Sequence, residues 1–305
     1  MRILNFGSIN IDYVYRVDQF VKPGETKTCQ SLTINAGGKG LNQSIAAARA
    51  GNTVLHAGLI GSDGQFLADK LNLAGVNTSL MARATGVSGH AIIQVDDDGQ
   101  NCILLYGGTN KQLDETYIDQ ALERFGRNGL VLLQNETNLV GYIIAHAHQR
   151  GLKIALNAAP YGPMLHDYPL DLLDWLIVNE VEGAEIACCS EIDEILPALR
   201  ARYPKLNILL TLGKRGARCL CQDQLTTIGS YQVQAVDTTA AGDTFTGYFL
   251  YGVLHDLPIE ASLKLATAAS ALCVQKVGAA DSIPAKTEVD SAIEQDLLGP
   301  LGRSV

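Results

Sequence analysis

The chain has 305 residues, of which 47% are hydrophobic and 18% charged, and 32 acidic against 23 basic side chains give a formal net charge of −9. A chain of this length and apolarity can bury a full globular core. A protein that binds the phosphate backbone of nucleic acid needs a basic face, which an acidic chain without a Lys/Arg cluster does not provide. We therefore expect no nucleic-acid partner, and we expect any anionic ligand to be held by backbone N–H groups, a metal ion or a few placed cations.

Neither the start of the chain nor its apolar runs predict a membrane segment or a signal peptide. Residues 1–12 contain one arginine and no continuous apolar stretch. The apolar run at 170–178 is interrupted by Asp171 and Asp174. The seven cysteines have no zinc-like spacing and are typical of free thiols. We expect a reduced, cytoplasmic protein with no membrane partner.

Apolar strands alternate with helices along most of the chain. The predicted strands are 2–6, 53–60, 130–134, 153–157, 175–178 and 208–212, with a further strand around Cys219 and Cys221. The predicted helices are 42–50, 64–73, 139–150, 181–188, 244–255 and 259–277. Near-continuous apolar strands separated by helices indicate a mostly parallel sheet covered on both faces. We therefore predict an α/β fold, a doubly wound sheet with helices on both faces, as a single domain over 1–305.

Two segments, 13–34 and 88–106, alternate polar and apolar residues instead, with turns at 22–24 and 96–99. Such alternation predicts antiparallel ribbons that are exposed on one face. We predict that they form a small β-sheet lid inserted in the α/β domain. Because an isolated small sheet leaves an apolar face and its edges uncovered, we expect the lid to pair with a second subunit in a homodimer. The expected residues of that face are Ile34, Ile92 and Ile103.

The strongest chemical signal is a run of small residues, 236–245, that leads into the helix predicted at 244–255. A tight turn before a helix N-terminus leaves several N–H groups aimed at one point, where they can hold an anion. Asp243 is then either an ordinary N-cap or a carboxylate that takes a proton from an attacking hydroxyl. A second carboxylate, Asp237, and the lack of bulky side chains in the run favour the catalytic interpretation.

A glycine-rich run at 35–42 opens another predicted helix. It is not a Walker A loop, because Lys39 is followed by Gly40. It also lacks the dinucleotide-binding pattern, which disfavours a nicotinamide-dependent reductase. Asn10 and Asp12 follow the first strand, where they either form a simple turn or bind vicinal hydroxyls in a ligand crevice. Further polar or glycine-containing strand ends are Glu136, Asn157, Asn179 with Glu182, and 211–216.

Taken in chain order, these motifs resemble the ribokinase-like carbohydrate kinases, also called the phosphofructokinase B family, over essentially the whole chain. The N-terminal motif is Gly37-Gly38-Lys39-Gly40 with Asn42, and the more specific C-terminal motif is 237–245. The resemblance implies transfer of the γ-phosphate of ATP to the hydroxymethyl group of a furanose, with D-ribose as the first candidate. Deoxyribose or a nucleoside is the alternative substrate, and a non-catalytic sugar or nucleotide sensor is the alternative function. The implied cofactors are Mg²⁺ and K⁺.

The resemblance also implies a role for each motif residue. Asp243 is the catalytic base, and Ala240, Ala241 and Gly242 provide the anion hole. The sugar is bound, with Asp243, by Asn10, Asp12, Gly38, Lys39, Gly40, Leu41, Asn42 and Glu136. ATP is bound, with Gly242 and Asp243, by Asn179, Thr211, Leu212, Gly213, Lys214, Arg215, Gly216 and Thr267. Glu182 holds the Mg²⁺ water shell, and the monovalent cation is held by Asp237, Thr239, Cys273, Lys276, Gly278 and Ser282.

Several positions depart from the family pattern. Leu41 stands where alanine is usual, beside the sugar loop, and is expected to reshape the sugar pocket. Thr246 stands where asparagine is usual, and Thr267 where a ring-stacking or amide side chain is common. Lys276 leaves an alternative open for Asp237, because its ammonium group can neutralise that carboxylate without a bound ion.

Overall fold

The computed structural model describes residues 1–302, and the predicted α/β pattern is present there. The strands are β1 (Arg2–Phe6), β2 (Asn10–Arg16), β3 (Ser31–Gly37), β4 (Thr53–Ala57), β5 (Leu59–Ile60), β6 (Ala82–Arg83), β7 (Gly89–Val95), β8 (Asn101–Tyr106), β9 (Gly129–Gln134), β10 (Lys153–Asn157), β11 (Trp175–Asn179), β12 (Asn207–Thr211), β13 (Ala217–Cys221) and β14 (Gln224–Ile228). The α-helices are α1 (Lys39–Arg49), α2 (Gln65–Leu73), α3 (Glu115–Phe125), α4 (Val140–Gln149), α5 (Glu180–Ala187), α6 (Ile192–Arg202), α7 (Ala241–Leu254), α8 (Ile259–Cys273) and α9 (Lys286–Glu294).

The main sheet has eight strands in the order β14-β13-β12-β11-β10-β9-β1-β4. The strands from β12 to β4 are parallel, and β13 and β14 extend that edge in antiparallel fashion. Because the parallel strands run the same way, their carboxyl ends meet at one edge of the sheet. The polar residues predicted to follow β9, β11 and β12 therefore lie along that edge.

The parallel strands are near-continuous apolar runs, interrupted by buried polar residues such as Asn5 and His56, because both faces of the sheet are buried. Neighbouring residues belong to separate cores: Ile3 and Leu132 pack with α1, α7 and α8, whereas Leu4 and Leu133 pack with α3 and α4. Successive side chains of a strand point to opposite faces, so each strand contributes to both cores. The doubly wound fold predicted from sequence is confirmed.

A separate four-stranded sheet has the order β3-β2-β7-β8. Its β2–β3 and β7–β8 pairs are antiparallel, as the alternating segments predicted, and a parallel β2–β7 pair joins them. Cross-strand partners share a face, so Ile34, Ile92 and Leu104 lie on one side of this sheet. Ile103 pairs with Ile93 on the other side, so the expectation that Ile103 shares the face of Ile34 and Ile92 is wrong.

Several element bounds differ from the predictions. The single strand predicted at 53–60 divides at Gly58, where an added Cβ would lie 3.0 Å from the carbonyl oxygen of Gly7. Helix α8 ends at Cys273 rather than at residue 277. The helices α3, α6 and α9 had not been predicted. Within residues 1–302, the helices are too short or too polar to cross a bilayer.

Candidate active site

Asp243 lies in the first turn of α7 and is 7% exposed. The N-cap of this helix is Ala240, a left-handed residue with φ of 61°, and no side chain caps the helix. The N-cap interpretation of Asp243 is therefore wrong. Its carboxylate instead faces α1, where Oδ2 accepts from Asn42 Nδ2 at 3.1 Å and Oδ1 accepts from Gln43 Nε2 at 2.9 Å. A carboxylate held in this way presents acceptor oxygens to a ligand at the start of α7.

A cavity of about 330 Å³ lies beside the N-terminus of α7. An added Cβ at Gly242 would meet nothing within 4 Å, so a ligand can approach this backbone closely. Thr267 is 5% exposed and borders the cavity, and its hydroxyl has no hydrogen-bond partner among residues 1–302. The residues predicted to bind ATP or the anion that line the cavity are Thr211, Gly213, Lys214, Gly216, Ala241, Gly242 and Thr267. This cavity has the donors and the open glycine backbone that a nucleotide requires.

Three residues predicted at the nucleotide site neighbour the cavity but do not line it. The Leu212 side chain is buried in the core, and Arg215 forms an ion pair with Glu180. Asn179 is the N-cap of α5 in a capping box: its Oδ1 accepts from the backbone N–H of Glu182, while Glu182 accepts from the backbone N–H of Asn179. Each of these three side chains is held by contacts within the protein. Sequence reasoning missed further residues that line the cavity, among them Ser230, Tyr231, Gln232 and Val233.

The residues predicted to bind the sugar converge from β2, α1 and the end of β9. The Oδ1 of Asn10 accepts from Asn110 Nδ2 at 2.7 Å, which leaves the amide N–H groups of Asn10 for a ligand. The carboxylate of Glu136 accepts from the backbone N–H of Lys39 at 3.1 Å and from the Ser8 hydroxyl. The glycines permit these contacts: an added Cβ at Gly40 would lie 2.4 Å from the backbone of Gly7.

Asp12 lies over Gly37, where an added Cβ would come within 2.0 Å of its Oδ2. Burial, and then the negative charge of Glu136, raise the pKa of Asp12 to about 7. Two neighbouring carboxyl groups in a half-buried site provide strong acceptors for sugar hydroxyls. The N-terminal end of α1, from Gly38 to Asn42, thus connects the sugar residues to Asp243 through Asn42.

The structure corrects the expectation for Leu41. Its side chain is fully buried in the core, although its backbone N–H donates to the carbonyl of Ser8. Consecutive helical residues are about 100° apart around the axis, so Asn42 faces Asp243 while Leu41 faces inward. Thr246 is likewise buried, and its hydroxyl donates to the carbonyl of Gly242 at 2.9 Å.

Lys39 is half-buried at the start of α1. The negative charge of Asp243 is the main reason that the pKa of Lys39 is raised, with Glu136 and Glu182 contributing and burial opposing. Burial raises the pKa of Glu182, against the hydrogen bonds from Asn179 and the charge of Lys39. The Lys39 ammonium group therefore interacts electrostatically with the predicted base Asp243, with Glu136 of the predicted sugar site and with Glu182 of the predicted Mg²⁺ site.

The residues predicted to hold a monovalent cation lie together beside this site. Asp237 accepts from the backbone N–H of Thr239 and from that of Gly278, both at 2.9 Å. Burial opposes ionisation, but the Thr239 hydroxyl, these contacts and the positive charge of Arg16 lower the pKa of Asp237. Cys273 contacts the Thr239 carbonyl and Ser282. Lys276 pairs with Glu288 at 2.8 Å, so the alternative in which it neutralises Asp237 is wrong.

Sequence reasoning also missed residues that support the site from behind. Gln43 contacts Asp243, Ser8 contacts Glu136, and Asn110 contacts Asn10. The signal that could have revealed Gln43 is the polar run Asn42-Gln43-Ser44 within α1, because all three side chains are buried. A buried polar run in a helix requires hydrogen-bond partners.

The chain matches known proteins over nearly its full length. Residues 2–286 match the pfkB family of carbohydrate kinases. The chain is 37% identical over 298 residues to a ribokinase of Haemophilus influenzae, covering 94% of this chain and 97% of that one. It is 33% identical over 296 residues to a deoxyribokinase of Salmonella typhimurium, covering 93% and 96%. The structure of Arabidopsis thaliana ribokinase complexed with ribose and ATP matches with a TM-score of 0.84 and 27% identity, covering 98% and 99% of the two chains.

Proposed function

The chain belongs to the pfkB family of carbohydrate kinases, and from this premise we propose that it transfers the γ-phosphate of ATP to the hydroxymethyl group of a furanose, with D-ribose as the first candidate. The reaction class is phosphotransfer to an alcohol. The observation that carries the proposal is the position of the Asp243 carboxylate. Asp243 directly follows Gly242, which lines the cavity, and it accepts a hydrogen bond from Asn42, one of the predicted sugar residues. A non-catalytic sensor would not need that carboxylate.

In the proposed reaction, the Asp243 carboxylate accepts the proton of the sugar hydroxyl as the hydroxyl oxygen bonds to the γ-phosphorus. The bond from the γ-phosphorus to the β,γ-bridging oxygen breaks, so the products are a sugar phosphate, ADP and protonated Asp243, which then releases its proton to water. The N–H group of Gly242, in the first turn of α7, stabilises the charge of the transferring phosphoryl group, whereas the N–H of Ala241 donates to the carbonyl of Thr238 at 3.3 Å.

Glu182 is the residue proposed to hold Mg²⁺ through its water shell. Each of its carboxylate oxygens accepts one hydrogen bond from Asn179, at 2.9 Å and 3.0 Å. Since a carboxylate oxygen has a second lone pair, both oxygens can still accept from metal-bound water. When bound, Mg²⁺ neutralises negative charge on the phosphates of ATP.

The choice of sugar is tested by ATP turnover with a panel of acceptors. D-ribose is expected to be the best acceptor, and 2-deoxyribose and a nucleoside are the alternatives, since the deoxyribokinase is nearly as similar as the ribokinase. A higher kcat/KM for deoxyribose or a nucleoside than for ribose would show that this acceptor, and not ribose, is the substrate. No turnover with any sugar, together with tight sugar binding, would favour a sensor.

We propose that a monovalent cation, K⁺ first, binds beside the anion hole. Asp237 keeps its negative charge within a loop where Lys276 is engaged by Glu288. The carbonyls of Thr239, Cys273, Lys276 and Gly278 and the hydroxyl of Ser282 are candidate oxygen ligands, since backbone carbonyls can replace the hydration shell of K⁺. Within residues 1–302, no cluster of histidine, cysteine and acidic side chains offers a transition-metal site in its place.

This cation is expected to raise kcat although it does not contact the substrate. With enzyme stripped of alkali ions, replacing K⁺ by tetramethylammonium at constant ionic strength should lower kcat several-fold and leave the sugar KM nearly unchanged. Ser282→Ala should weaken the K⁺ activation, because it removes one oxygen donor. Equal rates in the two buffers would exclude the cation from the mechanism.

We also propose that the four-stranded sheet pairs with that of a second chain. The strand β8 is exposed along its whole length, and Leu104, on the face shared with Ile34 and Ile92, is 69% exposed. Burying such a face is favourable at about 25 cal/mol per Å².

Wild-type protein should therefore have the mass of two chains by light scattering, and Leu104→Asp that of one. The matched control is Leu225→Asp on β14, where the leucine is 54% exposed, and it should stay dimeric. A monomeric wild type would contradict the proposal.

A cytoplasmic location is proposed on the state of the cysteines. All seven are free, including the adjacent pair Cys188 and Cys189. Free thiols are typical of proteins in a reducing compartment.

A further inference from the structure

Gln43 contacts Asp243 but is itself out of reach of any ligand. The side chain of Gln43 is 0% exposed, on the buried face of α1. Its Nε2 donates to Asp243 Oδ1 at 2.9 Å, while its Oε1 accepts from Gln134 Nε2 at 2.8 Å. Gln43 therefore acts on the sugar hydroxyl only through Asp243.

The orientation of the Gln43 amide is determined by the residues behind it. Gln134 Nε2 also donates to Asn5 Oδ1 at 3.1 Å, and Asn5 Nδ2 in turn donates to the carbonyl of Gly40 and to Ser44 Oγ, both at 2.8 Å. Turning the Gln43 amide over would place its oxygen against a carboxylate oxygen and its N–H groups against those of Gln134. Because Asn5, Gln43 and Gln134 are all fully buried, water cannot compensate for that loss.

Asn42, the other amide that contacts Asp243, has a different environment. Its Oδ1 is buried without a hydrogen-bond partner in the part of the chain that the structure describes, whereas the Oε1 of Gln43 accepts from Gln134. Both amides thus hold an oxygen of the Asp243 carboxylate, and the Gln43 amide is in turn held by Gln134.

We propose that Gln43 is a positioning residue that holds the Asp243 carboxylate in one orientation for proton acceptance, with its own orientation set by Gln134. The inference rests on the proposed function, in which Asp243 is the base. A hydrogen bond that a carboxylate accepts stabilises the ionised form and fixes the plane of the group. Gln43 should therefore affect the proton-transfer step and not substrate binding.

The test is Gln43→Met, which keeps the side-chain volume and removes the amide. We expect kcat to fall about 10- to 100-fold, the size of one lost hydrogen bond to a charged group. The KM for sugar and for ATP should stay close to wild type, and the acid limb of the kcat profile should move to higher pH. Unchanged kcat with an unchanged pH profile would overturn the inference.

A second variant keeps the test valid if Gln43→Met does not fold. Gln43→Glu retains an oxygen to accept from Gln134 but places a carboxyl group against Asp243 Oδ1. Two carboxyl groups in contact share one proton, so the acid limb should move further toward high pH than in Gln43→Met. A wild-type profile in Gln43→Glu would also overturn the inference.

The matched control is Asn52→Ala. Asn52 is a buried amide just beyond α1 that donates to the carbonyl of Ala47 at 3.1 Å. It should lower the free energy of unfolding and leave kcat and its pH profile unchanged. If Gln43→Met behaves like Asn52→Ala, Gln43 is only structural. If Asp243→Asn is inactive and Gln43→Met is unaffected, the inference alone fails, whereas full activity in Asp243→Asn refutes the proposed function.

Discussion

We expect Asp243→Asn to lower kcat by about 10²–10⁴-fold, the usual contribution of a general base. An asparagine cannot accept the hydroxyl proton, because its amide lacks a basic oxygen of carboxylate strength. ATP and sugar should still bind, since the cavity residues and Asp12 are unchanged. The measurement is kcat from coupled ADP release, with both ligands also titrated by calorimetry.

The contacts of Asp243 require a second variant. Both of its oxygens accept from amide N–H groups, so the NH₂ of an asparagine would face a donor and disturb Asn42 or Gln43. Asp243→Ala removes this repulsion and should be equally slow. The matched control is Asp114→Asn at the N-cap of α3, where asparagine caps as well as aspartate. Turnover of either Asp243 variant within about threefold of wild type, below the general-base range, would refute the assignment.

The second large effect is expected at Asp12, where alanine should weaken sugar binding about 10- to 150-fold, the value of a hydrogen bond to a charged group. Nucleotide affinity should change little, because Asp12 lies on β2, away from the residues that line the cavity. Calorimetry with the sugar and with ADP separates the two. Unchanged sugar affinity would contradict the role of Asp12, and so would an equal loss for both ligands.

The raised pKa of Asp12 gives the same role a pH signature. With the pKa at about 7, Asp12 is protonated in acid and ionises as the pH rises through neutrality, so sugar affinity should rise over that range. The free energy of unfolding should change in the opposite direction. The unfolded chain releases this proton near the ordinary pKa of an aspartate. The stabilisation that the folded state gains from keeping Asp12 protonated is therefore lost as pH rises from about 4 to 7. Both trends should be smaller in Asp12→Asn, and their persistence would assign them to another group.

Much of the fold could be predicted because the parallel strands are buried on both faces. Residues 130–133 of β9 are an uninterrupted apolar run, and that pattern is local to the sequence. The missed helices have weaker local signals. Pro197 within α6 argues against a helix in sequence, yet the structure accommodates it. The break at Gly58 depends on contact with Gly7, which no window of sequence contains.

The same distinction between local sequence patterns and long-range contacts applies to the site. Residues in glycine-rich turns or at strand ends, such as Asp12 and Asp243, could be identified because their types are unusual at those places. Gln43 could not be assigned, since its partners lie 200 residues away at Asp243 and 91 away at Gln134. Leu41 was misjudged because adjacency in sequence does not decide which side of a helix a residue faces.

The central claim is tested most directly by the position of the new phosphate group. Purified enzyme, MgATP and ¹³C-labelled D-ribose in K⁺ buffer should yield one equivalent of ADP and a ribose whose C5 carbon shows coupling to phosphorus in the NMR spectrum. The Asp243→Asn variant should show neither product on the same timescale. Phosphate on another carbon, or ADP formed with free phosphate and unmodified ribose, would contradict the proposed transfer to the hydroxymethyl group.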